Sequence, residues 1–112
     1  PLSLPKTCLL RRPGEYKNVY ARGQRIRGDR FTIIHTPNGI EENRLGISIH
    51  GIKKAVRRNR IKRIIKEFFR LNRSFMTPAS DIVFAVRDGF VPDSPLEIKN
   101  TVEKMLSGHK AR

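Results

Sequence analysis

The 112-residue sequence has no tryptophan, a single cysteine and only ten acidic residues. One cysteine, Cys8, forms no internal disulfide, and no Cys/His grouping has zinc-ligand spacing, so neither a disulfide framework nor a structural zinc is expected. The longest apolar run, Ile82–Val86, falls far short of the roughly 20 residues of a membrane-spanning helix. Pro1–Lys6 offers no continuous apolar stretch and no small-residue cleavage site, so it does not read as a secretory signal. A reducing cytoplasm is the expected compartment. The shortage of acids weighs most: 24 Lys and Arg against 10 Asp and Glu leave a formal charge of +14. Such a charge repels itself in a compact chain, and a polyanionic partner offsets that repulsion. Nucleic acid is the first candidate, an acidic membrane surface the second.

The length suits one domain, since domains run roughly 100–200 residues. A hydrophobic share of 38% is enough for one modest core. We read residues 1–112 as a single nucleic-acid-binding domain with an extended N-terminal arm (1–12) and a C-terminal tail (108–112). Arg11-Arg12-Pro13-Gly14 ends the arm in a turn. Glu15–Ala21 reads as a short helix, with Tyr16, Val19 and Tyr20 on one face and Gly23 beyond its end. Arg30–Thr36 is β-branched and aromatic, and Pro37-Asn38-Gly39 turns the chain. Arg44–His50 alternates, Leu45, Ile47 and Ile49 facing one way and Gly46, Ser48 and His50 the other. The short polar loop between these two strands predicts an antiparallel hairpin.

Residues 53–73 change period. Ile61, Ile64, Ile65, Phe68 and Phe69 form one apolar stripe of a long helix, Leu71 sits at the stripe's edge, and Asn72 within it marks its end. Asn59, Arg63, Lys66 and Arg70 project nearly opposite. Pro78 stops any continuation. Ile82–Val86 is apolar throughout, as in a strand covered on both faces. Asp93-Ser94-Pro95-Leu96-Glu97 combines a serine N-cap, proline at N1 and glutamate at N3, a strong helix start. Ile98, Val102, Met105 and Leu106 give that helix its buried face, and Gly108 its expected end. The order is that of an α/β sandwich.

Between Lys53 and Arg73 stand ten basic residues and one acid, Glu67. An ordinary solvated helix face interleaves acids for i,i+4 pairs, and this one almost lacks them. Cations from Lys53 to Arg60 also crowd the helix N-terminus, where the macrodipole is already positive. That arrangement is poor for an isolated helix and well suited to phosphate, which backbone N–H groups there also attract. Six of the ten are arginines, whose planar fork grips phosphate bidentately.

Ala55–Arg70 closely resembles the Arg-Asn-Arg signature of the bacterial ribonuclease P protein subunit. The short helix with two aromatics, the strand Leu45–Ile49 and the closing helix after an apolar strand fit the same family, so the resemblance spans about residues 9–107. It implies an α/β (α+β) sandwich: a single mixed sheet of about four strands with three helices and a left-handed βαβ crossover, against the usual right-handed preference. The extra strand is expected near Gln24–Arg27. It also implies a function. Family members assist endonucleolytic removal of the 5′ leader of precursor tRNA, while the RNA subunit and its Mg²⁺ ions carry the chemistry. The partners implied are therefore the catalytic RNA and precursor tRNA, with no membrane, no small-molecule substrate, and no catalytic residue, metal or cofactor on the protein.

Carried over position by position, the resemblance gives Lys53, Lys54, Arg57, Arg58, Asn59, Arg60, Lys62, Arg63, Lys66 and Arg70 to the catalytic RNA. It gives Tyr16, Tyr20, Thr32, Ile34 and Thr36 to the leader, joined by Arg58 and Asn59 at the cleft edge. Stacking on tyrosine faces is sequence-tolerant, which suits a variable leader. Two departures stand out. Ile34 occupies a place where some relatives carry an aromatic, and His50-Gly51-Ile52-Lys53-Lys54 sets the glycine ahead of the lysines rather than after them. The competing readings are a ribosomal or general RNA-chaperone protein and a free-standing nuclease using His35 and His50, which end the two strands. Two histidines without a carboxylate or thiol make a weak catalytic set. Asp81, Asp88 and Asp93 read as turn formers, His109 as a solvated tail residue and Cys8 as incidental.

Overall fold

The computed structural model describes residues 4–110, with side chains through Gly108. A 3₁₀ turn at Lys6–Cys8 precedes α1 (Pro13–Arg22), β1 (Gln24–Arg27), β2 (Phe31–Pro37), β3 (Arg44–Ile49), α2 (Ala55–Leu71), β4 (Ser80–Val86) and α3 (Pro95–Lys110). The four strands form one mixed sheet in the order β1-β2-β4-β3. β1 is the strand expected near Gln24–Arg27.

The hairpin does not form. β4 lies between β2 and β3, antiparallel to the first (Phe31 opposite Val86, Pro37 opposite Ser80) and parallel to the second (Arg44 opposite Asp81, Ile49 opposite Val86). The reason is visible in β4 itself. Ile82, Val83, Phe84 and Val86 are all fully buried, so both faces of that strand need cover. A β2–β3 hairpin would leave this strand at an edge. His35 and His50 accordingly do not meet: His35 sits opposite Ile82, and His50 lies past β3, beside the Ser48 hydroxyl at 2.9 Å.

The main core fills one face of the sheet. Phe31, Ile33, Ile82, Phe84 and Val86 pack there against Ile61, Ile65, Phe68 and Phe69 of α2 and Ile98 and Val102 of α3. The apolar stripe is shorter than the sequence suggests, because Leu71 is 59% exposed. Asn72 ends α2 by donating its side-chain amide to the Phe68 carbonyl at 2.9 Å. At the head of α3, the Glu97 N–H donates to Ser94 Oγ (3.2 Å) and the Glu97 carboxylate accepts from the Asp93 N–H (3.1 Å), the reciprocal cap the sequence announces. Gly108 does not stop α3, which runs on to Lys110; a side chain at Gly108 would meet nothing within 4 Å. The His109 side chain and residues 111–112 lie outside the described residues, as do residues 1–3.

A smaller cluster occupies the opposite face, where Val19 of α1 packs with Leu10 on Ile34 and Val83. The N-terminal arm is thus part of the fold rather than a free extension. Leu9 bridges to Leu45, the Leu10 N–H donates to the Leu45 carbonyl at 2.8 Å, and Cys8 and Leu10 are buried. The arm covers the open edge of β3, a natural site of unwanted pairing. Burial, ahead of every other influence, pushes the Cys8 thiol pKa up. Its sulfur lies 2.6 Å from Arg73 Nη2.

Asp81 is no turn former. It is buried in β4, where Arg44 of β3 grips both its oxygens (2.7 and 2.6 Å) and Asn38 donates at 3.1 Å. Arg44 Nη1 also reaches Glu15 at 3.2 Å, and Glu15 accepts the N–H groups of Arg11 and Arg12 at 2.9 Å each. This chain of contacts ties the head of α1 to the sheet. Those two backbone donors, with Arg12 first, hold the Glu15 carboxyl below its ordinary value of 4.5. A folded pKa below the unfolded one gives stability that is present above the unfolded value and lost as pH falls through the folded one. Glu15→Gln is therefore expected to lower stability by about 1 kcal/mol at neutral pH. The deficit should shrink when denaturant unfolding is repeated at about pH 3; a deficit unchanged by acid would assign the loss to shape instead of charge.

Candidate nucleic-acid interface

The first six residues of α2, Ala55–Arg60, are exposed on every side, so the helix begins beyond the core. Its N-cap, Lys54, makes no side-chain cap, and its first turn holds no acid. Val56 at this tip is 81% exposed. Lys53, Lys54, Arg57, Arg58, Asn59, Arg60, Arg63 and Lys66 are exposed, while Lys62 and Arg70 are half-buried. Among the described residues, two cations of α2 reach a carboxylate: Arg57, 3.9 Å from Asp88, and Arg70, which grips Glu67. That grip lowers the Glu67 pKa. The rest of the helix presents positive charge that no carboxylate among the described residues neutralises at close range, an arrangement suited to phosphate contacts.

The second feature is the sheet face under α1. Strand register places Arg25, Ile34, Val83 and Gly46 in one row across it, and Arg27, Thr32, Ala85 and Ser48 in the next. The helix covers the first row from Ile34 to Gly46 and leaves Arg25 exposed: Ile34 is 2% exposed and packs with Val83 against Val19. It leaves the second row open, with Thr32, Ala85 and Ser48 half-exposed and Arg27 exposed. Thr36 is buried in the row of Asp81 and Arg44. Of the three β2 residues that share this face, only Thr32 therefore offers surface. Alternation identifies the face correctly but carries no information about the footprint of the helix above it.

Tyr16 and Tyr20 are half-buried on the sheet side of α1 and pack with Ala85 against the small cluster. Tyr16 lies over Gly46, where a Cβ would come within 2.8 Å of its ring. Its hydroxyl accepts the N–H of Ile47 (3.3 Å), on the edge of β3 just beyond the arm's pairing with Leu45, and donates to the Leu10 carbonyl (3.4 Å). Tyr20 has the Arg25 guanidinium 6.0 Å from its ring centre. Arg25 and Arg27 escaped the reading of the sequence, although Gln24-Arg25-Ile26-Arg27 alternates around the buried Ile26 and so puts both arginines on the open face.

The two features meet. Ile49 and Val86 end their strands side by side, the His50 N–H donates to the Val86 carbonyl at 2.9 Å, and Arg57 reaches toward Asp88 just beyond. The cationic head of α2 therefore starts at the end of the sheet where the open row emerges from under α1. No three His, Cys, Asp or Glu side chains converge as a metal site among the described residues. Nor is any helix among them long and apolar enough to cross a membrane.

A sandwich with an exposed cationic helix beside an open, tyrosine-edged sheet row is the architecture of an RNA-binding protein. Comparison with known proteins makes that more specific. The family model for ribonuclease P matches residues 4–110. A ribonuclease P protein component from Desulfotalea psychrophila is 53% identical over 100 residues, covering 88% of this chain and 83% of the relative. One from Caldanaerobacter subterraneus is 34% identical over 102 residues, covering 90% and 88%. Among solved structures, a Staphylococcus aureus RNase P protein mutant superposes with a TM-score of 0.79 at 30% identity, covering 94% of this chain and 90% of that one. The Thermotoga maritima RNase P protein gives 0.74 at 26%, covering 87% and 93%. The chain belongs to the ribonuclease P protein component family, and its partner in that ribonucleoprotein endoribonuclease is RNA.

Proposed function

We propose that this chain is the gripping subunit of a tRNA 5′-processing ribonucleoprotein. The head and outer face of α2 hold the catalytic RNA, and the open sheet row holds the single-stranded leader of precursor tRNA. The observation that carries this reading is the junction of the two surfaces at one end of the sheet, where Ile49 and Val86 end their strands and Arg57 of α2 comes within 3.9 Å of Asp88. We assign Arg58 and Asn59, the next residues of that exposed helix head, to both RNAs. In this arrangement Tyr16, Tyr20 and Thr32 contact the leader, joined by Arg27 and Ser48; Ile34 and Thr36 support the sheet from beneath α1.

The mechanism is electrostatic and geometric. Two polyanions must approach one another, and a chain of net charge +14 lowers their repulsion. The precursor is preferred over the mature product because only the precursor has a leader to lay on the open row. Mg²⁺ belongs to the RNA partner, which carries bond cleavage. The cytoplasm, where transcripts await processing, is the compartment this function requires.

The test is cleavage of precursor tRNA at low Mg²⁺ by a bacterial ribonuclease P RNA, with the protein, without it, and with the protein alone. Cleavage should be rapid only when both are present. Cleavage by protein alone would make it a free-standing nuclease. Tight binding to structured RNA of any kind, with no preference for a leader, would make it a general RNA chaperone.

A further inference from the structure

The N-terminal arm forms one wall of a groove of about 500 Å³ along the basic face of α2. Leu4 and Leu9 supply that wall; both are partly buried against the core and partly open to the groove. Asn59, Lys62, Arg63, Lys66 and Arg70 form the other wall. Their spacing of three and four residues places them on one stripe of the helix. The groove is thus apolar on one side and cationic on the other, and its volume falls in the range of roughly 300–1,000 Å³ typical of small-ligand sites.

Packing accounts for the buried sides of Leu4 and Leu9, but a surface built only to follow a paired RNA backbone has no use for their open sides, because a duplex keeps the apolar faces of its bases stacked inside. An unpaired nucleotide differs: its base exposes apolar faces, while the phosphates on either side stay anionic. Asn59 offers both a donor and an acceptor to a base edge. The Glu67 carboxylate at the groove would repel phosphate, yet Arg70 is locked onto it, so its charge is locally offset. The groove therefore matches a splayed-out base with its flanking phosphates on every wall.

We propose that this groove receives a single unpaired nucleotide of the partner RNA, its base against Leu4 and Leu9 and its phosphates against Lys62, Arg63 and Lys66. The proposal rests on the reading that α2 grips RNA, and adds that the grip is centred on an interruption in a helix. Two short RNA duplexes, identical except for one bulged adenosine, test it by fluorescence anisotropy at fixed, near-physiological salt. The full-length protein should bind the bulged duplex roughly tenfold more tightly. Leu4→Ser and Leu9→Ser should each reduce that preference toward parity while leaving the affinity for the fully paired duplex and its salt dependence unchanged. Leu4, at the outer end of the arm, is the variant least able to disturb the fold, and a melting curve checks both. Equal, measurable affinity of the native protein for both duplexes overturns the groove and leaves the RNA-gripping helix standing. So does a preference that survives both substitutions in folded protein. Failure to bind either duplex overturns the underlying reading itself.

Discussion

The double charge reversal Arg60→Glu/Arg63→Glu is expected to weaken binding of the catalytic RNA by roughly a hundredfold or more at near-physiological salt. The two substitutions replace two cations by two anions, a change of four unit charges at the surface proposed to face phosphate. At about 1 kcal/mol per unit charge near the protein–water boundary, discounted for screening, the loss is roughly 3 kcal/mol, or over a hundredfold in Kd. The log–log salt slope should flatten as well, since each lost phosphate contact removes roughly 0.7–0.9 of a unit. Stability should barely move. Both side chains are exposed and neither meets a carboxylate among the described residues, which places their effect on folding within about 0.5 kcal/mol. The matched control is Lys99→Glu/Lys104→Glu on α3, which changes the net charge equally on exposed positions of another helix. Near-native affinity in that control, beside collapse in the α2 variant, separates a specific surface from bulk charge. Unchanged affinity after reversal at Arg60 and Arg63 would remove α2 from the RNA contact.

What the sequence made legible was whatever a few neighbouring residues decide among themselves. The stripe Ile61–Phe69, the cap Ser94–Glu97 and the continuous apolar run of β4 are local patterns, and each predicted its element. Strand order is not local. Leu45, Ile47 and Ile49 alternate identically whether β3 pairs with β2 or with β4; only competition for cover over the doubly buried β4 decides, and that competition spans the whole sheet. The docking of the arm was not legible for a related reason. Two prolines in its first five residues suggest extension, but nothing periodic announces that Cys8 and Leu10 are buried or that Leu4 and Leu9 wall a groove. Gly46 is the sharpest case. In a strand it looks like a weak point, yet its missing side chain is what lets Tyr16 settle on the sheet. The cationic helix was legible as an exposed, charged surface because charge needs no partner in the chain to be counted. The open row was not, because Ile34 and Thr36 could be sorted from Thr32 only by the position of α1.

Tyr16→Ala should cost the assembled ribonucleoprotein its preference for precursor over mature tRNA. Base–aromatic stacking contributes roughly 1–3 kcal/mol, so precursor affinity should fall about five- to 150-fold while mature tRNA, which has no leader, binds as before. The structure supplies the companion that makes this decisive. Tyr16 is held by its hydroxyl, which satisfies the Ile47 N–H at the edge of β3, whereas the surface it would offer a base is the ring. Tyr16→Phe keeps the ring and strands that N–H, so it should lower stability by about 1 kcal/mol and leave the preference for precursor largely intact. The two variants thus dissociate what the hydroxyl does for the fold from what the ring does for the leader, with thermal melts reporting the first and competition between precursor and mature tRNA the second. A ring that serves packing alone would weaken both tRNAs equally in the alanine variant, through loss of the wall that α1 builds. Equal losses would return the tyrosine to the core and leave Thr32, Ser48 and Arg27 to hold the leader without it.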